Sequence, residues 1–254
     1  MSSNALVKSV VRAMERIAPL RLAEKWDNVG LLLESPIQNP SQHRVLLTID
    51  LTPAVLAESV EKKAAVIVAY HPTLFRPVQS LTLSNPLQSS LLQCAAQGIS
   101  VYSPHTAIDS VWGGNNDWLA AGVLGITFNG TRSNSVRVLA KEEKLGPDGQ
   151  SEGGEARLVT LPNPIAIGEL VNRIKGHLNL QQIQVAYSGK TDQAISTVAI
   201  CAGSGGSVLL GKEADVYFTG EMAHHEVLAA VADGRHVVLC MLSAQSLSLF
   251  RRLI

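Results

Sequence analysis

The stretch from residue 44 to residue 70 constrains the fold more than any other. It reads RVLLTID, then LTPAVLAESVEKKA, then AVIVAY. The first and last pieces are short runs of β-branched and small apolar residues with no polar alternation. A strand with one wet face alternates, so runs like these predict strands buried on both faces. The piece between them has a helical period, with Pro53 at its first turn, where a missing N–H costs nothing. A strand, a helix and a second buried strand make a parallel crossover unit.

The same order continues along the chain. NPLQSSLLQCAAQG predicts a helix closed by Gly98, ISVYS a strand and NNDWLAAGVLG a helix. Residues 141–155, KEEKLGPDGQSEGGE, are charged and glycine-rich and predict an exposed loop. Beyond it, ARLVTL, QQIQVAYS, STVAICAG, ADVYFTG and HVVLCML predict strands, and IGELVNRIKGHL and EMAHHEVLAAVADG predict helices. The fold class is therefore α/β, with mostly parallel strands covered by helices. No fixed-period repeat is present. At the N-terminus, SNALVKSVVRAMERIAPL predicts an amphipathic helix, capped by Ser3 or Asn4, with an apolar face of Val7, Val10, Val11 and Met14 and a stop at Pro19. A mitochondrial presequence is the lesser reading of that segment.

In such folds ligands bind where loops leave the carboxyl ends of strands. Few polar residues stand there. His71 follows AVIVAY, and His105 and Asp109 follow ISVYSP. Gly203, Ser204, Gly205 and Gly206 follow STVAIC, and Glu221, His224 and His225 follow DVYFTG. Asp27 and Asn28 lie in the loop WDNVG. Imidazole with carboxylate suits zinc, iron or manganese rather than calcium. Asp109 is four residues past His105, so one helical turn would put both on one face. His224 and His225 are consecutive, so on a helix they point about 100° apart. Glu221 is read as an acidic residue in the first turn of that helix, where it suits the helix dipole. The glycine-rich loop reads as a tight turn, with a phosphate cradle as the weaker alternative because it matches no nucleotide-binding pattern.

Composition excludes several classes. The chain is 46% hydrophobic and 17% charged, which suits a packed core, and its formal charge is zero. A neutral chain has no long-range attraction to nucleic acid or to anionic membranes. No run approaches the 18 or so apolar residues of a membrane span. Cys94, Cys201 and Cys240 are far apart and embedded in apolar segments, so they read as buried hydrophobes in a reducing compartment, the cytoplasm and also the nucleus.

Four motifs in order, WDNVGLLLE, AYHPTLFRP, YSPHTAIDSVWGGNNDWLA and FTGEMAHHEVL, resemble the signatures of the NGG-one-interacting-factor-three-like family. Its bacterial members are labelled GTP cyclohydrolase I type 2-like. The likeness spans roughly residues 5–240, and the YHP and SPHTA forms resemble the eukaryotic, fungal branch. It implies two interlinked α/β lobes, approximately 1–125 plus 196–254 and 126–195, a homo-oligomer, and a cleft for a pair of divalent transition metals. Carried over residue by residue, the implied metal residues are His71, Asp109 and His105, and the implied cleft lining is Tyr70, Glu221, His224 and His225. Tyr70 stands where the family has a second histidine. The family's C-terminal His-x-x-Thr-Glu ligands have no counterpart, because the chain reads MLSAQSLSLFRRLI after Cys240. An altered exon, retained intron or shifted frame is the expected origin of that tail, which also reads as a short basic amphipathic helix. Loss of these ligands predicts a partly degenerate cleft with weak or single-metal occupancy.

Two functions follow from the resemblance. One is metal-dependent hydrolysis of a nucleotide-like substrate. The other is non-catalytic regulation through partners of the transcription-adaptor type, without direct nucleic-acid contact.

Overall fold

The computed structural model describes residues 5–240 apart from 38, 40, 141, 190 and 191. The expected caps Ser3 and Asn4 and the tail after Cys240 lie outside the described residues. The chain divides into two compact units, residues 1–108 and 109–254.

The first unit holds α1 (Ala5–Ile17), β1 (Gly30–Leu33), β2 (Arg44–Thr48), α2 (Pro53–Glu61), β3 (Ala64–Ala69), α3 (Pro86–Ala96) and β4 (Ser100–Ser103). Its sheet has the order β1-β4-β3-β2, with β2, β3 and β4 mutually parallel and β1 antiparallel at the edge. Every residue of β3 is buried, as its unbroken apolar run predicts. The pleat explains how. Ile67 and Ala69 join Leu51, Leu56, Leu91, Cys94 and Val101 in a core under α2 and α3. Val66 and Val68 face the other way, and α1, with Val7 and Met14 buried, also packs on β3. Helices α2 and α3 start alike: Thr52 and Asn85 cap them through Val55 N and Gln88 N, and each has proline in its first turn.

Helix α4 (His105–Ser110) runs across the division. The second unit continues with α5 (Asn115–Leu124), β5 (Val136–Val138), β6 (Lys144–Leu145), β7 (Ser151–Gly153), β8 (Arg157–Ile165), α6 (Ile167–Leu178), β9 (Gln184–Ala186), β10 (Ile195–Ser204), α7 (Gly206–Leu209), β11 (Val216–Glu221), α8 (His224–Ala232) and β12 (His236–Leu239). Its six strands run β5-β8-β10-β11-β12-β9. The central β10, β11 and β12 are parallel, and the flanking pairings are antiparallel. One core lies under α5 and α6 and includes Trp118, Leu170, Ile174, Val198 and Phe218. A second includes Leu209, Tyr217, Ala230 and Val237.

Three expectations change. Strands β10 to β12 share a sheet with β8 and β9, so the chain divides once, after Ile108, rather than with 196–254 joining the first lobe. The segment expected as a loop at 141–155 carries the two-stranded hairpin β6–β7, because Asp148 and Gly149 close a turn whose Gly146 and Gln150 backbones hydrogen-bond. Glu221 ends strand β11 and is not in the first helical turn; that position belongs to Glu226, whose carboxylate accepts from Ala223 N at 2.9 Å.

Candidate functional site

The parallel register builds the site. Thr48 pairs with Ala69 across β2 and β3, and Val68 pairs with Tyr102 across β3 and β4. Two residues beyond the first pair are Asp50 and His71. Three beyond the second are His71 and His105. These side chains therefore form a row along the carboxyl edge of the sheet. The backbone continues the ladder: His71 N donates to Ile49 O at 3.0 Å, and His105 N to Tyr70 O at 3.2 Å.

Each imidazole is held from behind by a carboxylate. His71 Nδ1 lies 2.8 Å from Asp50 Oδ1, and His105 Nδ1 lies 2.8 and 2.9 Å from the two oxygens of Asp27. Ionised carboxylates only accept, so both Nδ1 atoms carry the proton of that hydrogen bond, and Nε2 is the nitrogen of each ring that is not engaged by its carboxylate. The ring centroids are 5.7 Å apart and nearly perpendicular. Asp27 also accepts from Thr106 N and from the Thr106 hydroxyl, and its side chain is fully buried. Burial alone would raise the Asp27 carboxyl; the bonds from His105 and Thr106 and the charge of His105 outweigh it and hold it below the usual aspartate value. His105 has φ of +31°, a left-handed backbone that is strained for histidine.

Tyr70 is buried and structural in placement. Its ring lies 4.9 Å from that of His71 and 5.6 Å from that of His105, and its carbonyl accepts from Ser103 Oγ at 2.8 Å. His71 and Asp50 also line a cavity of about 270 Å³ with Thr73, Pro53 and Leu87.

The remaining expected residues are placed as follows. Asp109 lies in α4, half-buried, and its Oδ1 accepts from Asn115 Nδ2 at 3.0 Å. Glu221, His224 and His225 are exposed, at the end of β11 and the start of α8. The glycine-rich turn is filled from within: a side chain on Gly206 would stand 1.9 Å from Glu226 Oε2, so a carboxylate already occupies the space of the weaker phosphate reading. Asp50, the partner of His71, and Thr106, which donates to Asp27, were not singled out from the sequence, although Asp50 follows the strand next to AVIVAY and the register points to it.

Imidazoles supported at Nδ1 by carboxylates are the usual donors to first-row metals. Among the described residues, however, no three His, Cys, Asp or Glu side chains are gathered closely enough to hold an ion. Two nitrogens fall short of the three protein ligands of a catalytic zinc site. Among the described residues, the two imidazoles are fewer donors than the metal pair implied by the resemblance would need.

Comparison with known proteins agrees with the fold and extends to the family. The chain is 44% identical to Protein NIF3 homolog of Schizosaccharomyces pombe, covering 94% of this chain and 84% of that one. It is 35% identical to NGG1-interacting factor 3 of Saccharomyces cerevisiae, over 94% and 85%. Among solved structures, reduced HcgD from Methanocaldococcus jannaschii superposes with a TM-score of 0.78 at 21% identity, over 97% of this chain and 90% of that one. A Bacillus cereus protein related to NIF3 gives 0.76 at 20%, over 97% and 91%. The model of the Duf34/NIF3 (NGG1p interacting factor 3) family matches residues 5–242, and the chain belongs to that family.

Proposed function

We propose that the chain is a hydrolase acting on a nucleotide-like substrate, with His71 and His105 at its centre, in a cleft that keeps a reduced form of a divalent-metal site. One observation carries the reading: two imidazoles stand side by side, each with Nδ1 fixed on a carboxylate and Nε2 left to face a ligand. His105 is the general base. Its Nε2 takes a proton from the attacking water, and the buried Asp27 carboxylate stabilises the imidazolium that forms. His71, with the more exposed Asp50 behind it, orients the water or the leaving group. Zinc, iron or manganese bound through the two Nε2 atoms would be held weakly, and would occupy the lone pair that His105 uses as a base, so proton transfer by His105 needs that nitrogen free of metal. The protein acts in the cytoplasm as a homo-oligomer.

The test is hydrolysis of a nucleotide panel by the purified chain, with and without added zinc, iron(II) or manganese. His105→Ala is expected to abolish turnover while leaving the fold intact. Activity equal to wild type in both His105→Ala and His71→Ala would refute the assignment.

A second reading rests on the name of the yeast relative, an NGG1-interacting factor. Under it the chain binds a partner of the transcription-adaptor type, in the nucleus as well as the cytoplasm. His71→Ala then leaves partner binding unchanged, which a pull-down with the adaptor measures.

A further inference from the structure

Three rings of the first unit form an open corner. Trp26 and Phe75 have centroids 5.9 Å apart at 78°, Trp26 and His105 6.2 Å at 77°, and Phe75 and His105 6.2 Å at 89°. The three planes are thus nearly mutually perpendicular. His105 is the inner wall, with its side chain 17% exposed, while Trp26 is 60% and Phe75 46% exposed. Among the described residues the exposed large hydrophobic aromatics are these two and Tyr187. Two of the three stand beside the imidazole assigned as base.

The corner is held in shape before any ligand arrives. Asn28 Nδ2 donates to Leu74 O, tying the loop of Trp26 to the segment of Phe75. Asp27, between Trp26 and Asn28, is fixed to His105 and Thr106, and Glu24 N donates to Thr106 Oγ1 at 2.9 Å. Two exposed cations flank the aromatic pair in sequence, Lys25 beside Trp26 and Arg76 beside Phe75.

We propose that this corner is the ring-recognition subsite of the protein, and that it takes a planar heteroaromatic ring carrying an anionic group. The proposal rests on the reading of His105 as part of the working site. A flat ring laid on the face of one wall meets the other edge-on, which is the favoured arrangement of aromatic quadrupoles. An aliphatic ligand gains nothing from perpendicular walls. The Nε2 of His105, as a base, then accepts from a ring N–H or an exocyclic amine, and Lys25 and Arg76 attract the anionic group.

The test is calorimetry and tryptophan fluorescence on the chelator-treated protein, with GMP, guanosine and ribose 5-phosphate as probes. GMP is expected to bind saturably and quench emission, guanosine more weakly, and ribose 5-phosphate least. Stacking of a base on an aromatic side chain is worth about tenfold or more in affinity. Trp26→Ala and Phe75→Ala should therefore each lower GMP affinity by at least about tenfold, and Lys25→Ala with Arg76→Ala should bring GMP down to the level of guanosine. Both aromatic residues are exposed, so folding is expected to survive, and circular dichroism checks it. The proposal is overturned by no GMP binding, by ribose 5-phosphate binding as well as GMP, or by unchanged affinity in the aromatic variants. It is also overturned if those variants change the sedimentation coefficient and not GMP affinity, which would make the corner a subunit contact. Failure of this subsite is separable from failure of the hydrolase reading, because nucleotide turnover by Trp26→Ala at saturating substrate tests the His105 base without the corner.

Discussion

Arg157 and Asp117 make the most consequential ion pair of the second unit, and Asp117→Ala tests how much of its stability they carry. Both side chains are buried, at 0% and 4% exposure. The pair is bidentate: Arg157 Nε reaches Asp117 Oδ1 at 2.9 Å and Nη2 reaches Oδ2 at 2.9 Å, while Gly113 N donates to Oδ2 at 2.9 Å. Removing the carboxylate strips three donors of their acceptor and leaves a buried cation without its counter-charge. Breaking such a pair costs about 3–5 kcal/mol. Here the guanidinium keeps the carbonyls of Gly154, Ala156, Ser110 and Val111 and lies 4.2 Å from the Trp112 ring centre, so the cost belongs near the lower end, about 3 kcal/mol. That corresponds to a fall in Tm of about 6–12 °C for a chain of this size. Urea unfolding followed by circular dichroism, with thermal melts alongside, measures it. The companion is Asp117→Leu with Arg157→Met, which removes both charges and should cost clearly less than the sum of the single changes. A loss below about 1 kcal/mol in Asp117→Ala, or strict additivity in the double variant, would refute the reasoning.

Other expectations are direct. Asp27 has its folded-state pKa depressed, so its contribution to stability is present above the unfolded aspartate value and is lost as pH falls through the folded one; Asp27→Asn should flatten the acid limb of a stability-against-pH curve below about pH 4 and change its slope little near pH 7. Gly206→Ala places a methyl group within 1.9 Å of Glu226 Oε2, so the cap at Ala223 must shift; a destabilisation of about 1–3 kcal/mol should appear in chemical unfolding. The Cys94 thiol is pushed up to about 12 by burial, so the native protein should leave it unmodified by a disulfide reagent at pH 8, and urea should expose it at once.

The sequence foretold the buried strands well because an unbroken apolar run has one physical reading when helices flank it. AVIVAY became the fully buried β3 and then Tyr70, with His71 at its open end. Proline at the start of α2 and Gly98 in a left-handed conformation after α3 were equally direct signals. Less was legible where partners decide the outcome. The hairpin β6–β7 has no apolar alternation; it is held by its turn and by contacts such as Trp112 N to Glu152 O, which no local pattern announces. Glu221 was misplaced because it still belongs to β11, and Met222 and Ala223, not a helical turn, separate it from His224. Asp50 was missed for another reason. Its role depends on the offset between β2 and β3, and a pairing register is a property of two strands at once.

The two dyads also explain why an incomplete metal set need not mean an idle site. A metal cleft uses carboxylates on the ligand side, where their charge offsets that of the ion. In this unit Asp27 and Asp50 stand on the far side of the imidazoles, bound to Nδ1. Placed there, they fix the tautomer, orient the ring and raise the basicity of Nε2. Tyr70 reinforces the same arrangement: buried, next to His71 in sequence and with its ring beside both imidazoles, it gives them a rigid floor at the position where the family resemblance calls for another nitrogen. Carboxylates so placed strengthen Nε2 as a proton acceptor and as a metal ligand alike. If His105 acts as the proposed base, turnover should depend more steeply on the Asp27–His105 dyad than on the concentration of added metal, and varying the two independently in one nucleotide-hydrolysis assay decides which governs the rate.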